Sequence, residues 1–146
     1  MVAGNLCGTT LNGGPGQYGT VFSLKRPEEG GDWAETILHG FNDGPQGAGP
    51  SASVIFEADG DLYGTTAIAT TRSALGNLFR IRPTDEMADG SVFSTLHTFT
   101  GDPDGASPSA SLVFGKGGSI FSTTQEGGTG ENCGYEGCGT VFEALP

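Results

Sequence analysis

Along the chain, short runs of β-branched and aromatic residues alternate with clusters of Gly, Pro, Asp and Asn. No stretch sustains a helical period, so the pattern predicts strands between turns. The clearest stretch is Ala52–Phe56, which places Ala52, Val54 and Phe56 on one face. Glu57-Ala58-Asp59-Gly60 follows as a hairpin turn, read as type I′ because Asp-Gly suits that geometry. Asp61–Thr66 is the next strand, then a Gly-rich loop, then Asn77–Ile81. Pro83 to Gly90 is a polar loop with room for one helical turn, and Val92–Phe99 is the fourth strand.

The same order recurs. Asn5-Leu6-Cys7-Gly8-Thr9-Thr10 returns as Asp61-Leu62-Tyr63-Gly64-Thr65-Thr66 and as Ser119-Ile120-Phe121-Ser122-Thr123-Thr124, at offsets of 56 and 58 residues. Gly19-Thr20-Val21-Phe22 returns as Gly76-Asn77-Leu78-Phe79 and Gly139-Thr140-Val141-Phe142. Ile37-Leu38-His39-Gly40-Phe41 returns as Thr95-Leu96-His97-Thr98-Phe99, and the Pro50–Phe56 run returns as Pro108–Phe114. With the unit's strands lettered a to d, the chain reads b-c-d, a-b-c-d, a-b-c. The expectation is an all-β, propeller-like array of short four-stranded antiparallel meanders, about two and a half blades per chain. It divides a single repeat domain, 1–146, into a partial blade 1–49, a full blade 50–107 and a partial blade 108–146.

Leu-Tyr-Gly-Thr-Thr, a Gly-rich stretch, Gly-Thr-Val-Phe, Leu-His-x-Phe and Gly-x-x-Pro together resemble the Gly-Thr-Val-Phe tandem-repeat family, nicknamed GloVer, over nearly the whole chain. The resemblance implies a bacterial extracellular or cell-surface β-propeller-like array and no particular reaction. Cys7 replaces the family's usual Tyr and Ser122 replaces its Gly, and the anchor that the resemblance leads one to expect is not found among the residues up to Pro146. The motifs start so soon after Met1 that either a leader and earlier sequence precede them or the chain opens in mid-repeat.

Composition changes this picture little. The 27 Gly and 8 Pro approach the level of low-complexity chains, but nine Phe, three Tyr and one Trp argue for a packed core. A net charge of −11 disfavours nucleic acid and anionic membranes, and no apolar run is long enough for a membrane span. A closed propeller typically needs about four to eight blades, so exposed strand edges predict either a homodimer or larger, or a piece of a longer repeat array.

In an up-and-down blade the b–c and d–a loops share one face, and these are the long, variable loops. A site is expected there. His97 is the candidate catalytic residue, a proton carrier close in sequence to Asp102 and Asp104. The plainer reading is that His39 and His97 recur because the blade recurs. Asp102, Asp104 and, on the matching loop, Asp43 are candidate calcium ligands, against an ordinary Pro-Gly turn. Cys133 and Cys138 are spaced to close a disulfide loop in an oxidising compartment, with Cys7 left as a buried thiol. Tyr18, Trp33 and Tyr135 are candidate binding aromatics for a glycan, small-molecule or protein ligand. No Gly-x-Ser-x-Gly elbow, His-Glu-x-x-His pair or phosphate-binding loop is present. The leading expectation is a module that binds a partner or glycan through its loop face. The alternative is a calcium-dependent hydrolase, such as a lactonase, on the same face.

Overall fold

Strand pairing in the computed structural model follows the repeat. The structure describes residues 4–27, 30–42, 44–68, 75–84, 91–130 and 137–146. The first sheet contains β1 (Leu6–Thr10), β2 (Thr20–Lys25) and β3 (Ala34–Gly40), side by side in that order. The second contains β4 (Ile55–Phe56), β5 (Leu62–Thr66), β6 (Asn77–Pro83) and β7 (Ser91–Thr98). The third contains β8 (Val113–Phe114), β9 (Ile120–Thr123) and β10 (Val141–Ala144). Every pairing between these strands is antiparallel. The b-c-d, a-b-c-d, a-b-c layout is therefore present. The helical content of the described residues is one 3-10 turn, Lys116–Gly118.

Three local features differ from the sequence reading. Strand a pairs only at Ile55 and Phe56, although Ala52 and Val54 are buried as expected. The Ala52 carbonyl instead accepts the Thr9 hydroxyl of the preceding blade, at 3.1 Å. The a–b turn is not type I′. Gly60 is the residue with positive φ, and its N–H donates to the Glu57 carbonyl at 3.0 Å while Glu57 N–H donates to Asp61, so Ala58 to Gly60 form a three-residue loop with glycine in the left-handed position. Both c–d pairs also carry a bulge. Leu38 in β3 and Leu96 in β7 have no opposite residue and turn into the packed layers.

Two apolar layers join the sheets, and they are repeats of each other. The first packs Val21, Leu38 and Phe41 of blade one on Val54, Leu62, Phe79 and Ile81 of blade two. The second packs Leu78, Leu96 and Phe99 on Leu112, Ile120, Phe142 and Ala144 at equivalent positions one repeat later. The polar motif residues brace the loops. The second Thr of each Leu/Ile-x-x-Thr-Thr run, Thr10, Thr66 and Thr124, accepts the N–H of Thr20, Asn77 and Thr140 at 3.1, 3.1 and 2.9 Å. The glycine opening each Gly-Thr-Val-Phe run has positive φ and no room for a side chain. A Cβ on Gly76 would lie 2.5 Å from both the Thr66 carbonyl and Pro108.

Candidate functional site

At each junction, the loop leaving strand d hydrogen-bonds to the b–c loop of the next blade. Ala48 bridges Ile68 at the first junction, and Ala106 bridges Glu126 at the second. Gly128 N–H donates to the Gly101 carbonyl at 3.0 Å, and Gly139 N–H donates to Gly127 at 3.0 Å. These bonds hold the loops as one surface. At the second junction they frame a cavity of about 500 Å³ lined by Gly101, Asp102, Glu126, Gly127, Gly128 and Thr129, with Leu75 as an apolar wall. Glycines make up half of its lining, so backbone and two carboxylates dominate its polar chemistry. Such a surface accepts hydrogen bonds from hydroxyls and repels anions.

His97 and Asp104 are brought together. The His97 Nε2 lies 2.9 Å from Asp104 Oδ2, and the imidazole stands edge-on to Phe99. Asp104 is already occupied. Thr100 donates to it from its hydroxyl at 2.8 Å and from its N–H at 3.1 Å. Partial burial works to raise the Asp104 pKa, but the bonds from Thr100 and His97 outweigh it and hold the carboxyl below its ordinary 3.8. A calcium ion at Asp104 would have to displace these donors. Asp102 is exposed and faces the glycine-lined cavity instead. Asp43 lies outside the described residues. Among the described residues, no three His, Cys, Asp or Glu side chains group to hold a metal ion.

A second cavity, of about 510 Å³, lies beside His97, Phe99, Phe142 and Ala144. At the first junction the same space is filled, since Phe93 of β7 stacks on His39 at 4.1 Å and 18°. His39 is thus a packing residue, while His97, at the same repeat position, keeps an exposed face.

Tyr18 and Trp33 are both exposed, at 39% and 49%. They do not share a site. Thr20 pairs with Gly40 and Lys25 with Ala34, so Tyr18 sits at the loop end of the sheet and Trp33 at the opposite end. Trp33 therefore lies away from the loop face, because the c–d connection emerges at the end opposite the b–c loop. Tyr135 and Cys133 lie outside the described residues. Cys7 is a free, half-buried thiol, its pKa raised chiefly by burial.

Two features escaped the sequence reading. Glu126 was not singled out, and only the pairing of the two loops places it opposite Asp102's loop. Asp61, the first residue of the predicted Asp61–Thr66 strand, is buried and receives two bonds from the Arg82 guanidinium, at 3.0 and 2.8 Å. The signal was available, since the β5–β6 ladder sets Leu62 opposite Ile81 and so brings Asp61 beside Arg82.

No helix among the described residues is long and apolar enough to cross a membrane. No curated protein and no solved structure matches the chain. The repeat family described as Gloeobacter/Verrucomicrobia repeat matches residues 1–146. The same motifs set the strands, the junctions and the loop face, and the chain belongs to the Gloeobacter/Verrucomicrobia repeat family.

Proposed function

We propose that the protein is an extracellular repeat module that binds a neutral glycan through its loop face. The observation that carries this reading is the cavity at the second junction, where Asp102 and Glu126 stand over glycine backbone. Sugar hydroxyls donate to carboxylates and to peptide carbonyls, and the glycines of the lining let a ring approach the backbone closely. The net charge of −11 selects against anionic ligands. A glycan array followed by calorimetry tests it. Neutral oligosaccharides should bind, and Asp102→Asn with Glu126→Gln should weaken binding at least about tenfold, or 1.4 kcal/mol. Trp33→Ala, at the far end of the sheet, should leave it unchanged. Failure of every neutral glycan, or loss of binding in Trp33→Ala alone, would refute the proposal.

A second reading rests on the His97–Asp104 contact, with Asp102 exposed on the same loop. A calcium-dependent hydrolase would use His97 to move the proton and Asp102 to help hold the cation. Turnover of an ester or lactone that needs calcium and disappears in His97→Asn would establish it. Equal rates with calcium and with chelator would remove it.

A further inference from the structure

The chain's two internal junctions supply a template for its two uncovered faces. Position by position, the repeat gives each blade a leading face and a trailing face, and the two kinds are complementary. On the trailing face, Val21 and Leu78 are fully buried against the next blade, yet Val141 at the same repeat position is 72% exposed. On the leading face, Leu62 and Ile120 are fully buried against the preceding blade, yet Leu6 at the same position is 53% exposed. Alternation along β10 confirms the direction, because Phe142 and Ala144 turn toward the second apolar layer and Val141 turns away. Beside Val141 lies a shallow groove of about 290 Å³ whose walls include Phe121 and Val113.

We infer that these faces bind each other between two copies of the chain, head to tail, in the manner of the internal junctions. The trailing face of blade three, with Phe121 and Val141, would receive the leading face of blade one, with Leu6, Phe22 and Leu24. The open faces continue two packed interfaces that the chain already forms, so the chemistry of the occupant is written in the chain itself. Two chains would supply six blade positions, within the size of a closed ring. The contact is heterologous, so one broken face on each chain suffices to prevent it. The two sheets that would meet have three strands each, so the contact is smaller than an internal junction and depends on concentration. Like charges on two acidic chains oppose it, and added salt should favour it.

Light scattering on the full chain and on two variants, Leu6→Asp and Val141→Asp, tests this. Both side chains are exposed, so folding should survive, and unchanged thermal midpoints on dilution would verify that. The wild-type chain should form dimers or larger assemblies as concentration rises, and more so at higher salt. Each variant alone should be monomeric, because every contact would use one damaged face. A mixture of the two should recover a dimer, joined by the intact Val141 face of one and the intact Leu6 face of the other. A wild-type chain that stays monomeric throughout, variants that assemble as well as wild type, or a mixture that stays monomeric would each overturn the inference.

Discussion

The two blade junctions are built from the same motifs and finish differently. At the first, His39 is covered by Phe93, Phe93 tilts against Phe79 at 5.5 Å, and Phe41 completes an aromatic cluster. At the second, Phe99 contacts Phe142 at 5.0 Å, but the place corresponding to Phe93 is a cavity, and His97 reaches Asp104 instead. One sequence position thus serves as core packing in one blade and as a polar surface contact in the next. Recurrence of a residue type in a tandem repeat reports the scaffold. What the residue can do chemically is decided by whichever strand lies over it.

Substitutions that strip the first junction should have the largest effect. Phe79 is fully buried, and Phe79→Ala should cost about 3–5 kcal/mol in chemical denaturation. Phe142→Ala, at the same repeat position but partly buried, should cost clearly less. Equal losses would mean that the two junctions are equally packed. Phe93→Ala, which uncovers His39, should follow at about 1.5–3 kcal/mol.

Most of this comparison was legible in the sequence up to the level of strands. Leu/Ile-x-x-Thr-Thr and Gly-Thr-Val-Phe marked β1, β2, β5, β6, β9 and β10 because their β-branched and aromatic alternation is bounded by glycine. Strand a was less legible, since Ala52 and Val54 are buried by packing and not by a ladder, and alternation reports burial in either case. The bulges at Leu38 and Leu96 could not be read, because an extra residue leaves the composition of a strand unchanged. In the candidate site, the proximity of His97 and Asp104 was readable from their spacing. The opposition of Asp102 and Glu126 was not, because it depends on two loops from different blades meeting.

A smaller effect separates the junctions by pH. Tyr63 sits in the second layer and donates from its hydroxyl to Glu57 at 2.7 Å. Burial first, and then Glu57, push its pKa up to about 12 from 10.0. The fold holds the neutral phenol, so this contribution is complete below pH 10 and is lost as the pH rises from there toward 12. Tyr63→Phe should cost about 1 kcal/mol at neutral pH and flatten the alkaline limb of the stability profile. An unchanged alkaline limb would show that Tyr63 is not the group responsible.

The smallest effect is expected at Asp104. Its pKa is lowered in the fold, so its contribution is present above the unfolded value near 3.8 and is lost as the pH falls through the lower folded value. Asp104→Asn should change neutral-pH stability by less than about 1 kcal/mol, and should soften acid unfolding. If Asp104→Asn unfolds in acid along the wild-type curve, the Thr100 and His97 bonds contribute nothing to stability.

Residue-resolved amide hydrogen exchange, at a concentration where the chain is monomeric, tests the blade account most directly. β5 and β6 lie between both apolar layers, so their amides should exchange only through global unfolding. Amides of β1 and β10, each packed on one side only, should exchange through openings of lower free energy. Protection of β10 equal to that of β5 would contradict the account, because it would require a neighbour over Val141, which the three described sheets leave exposed.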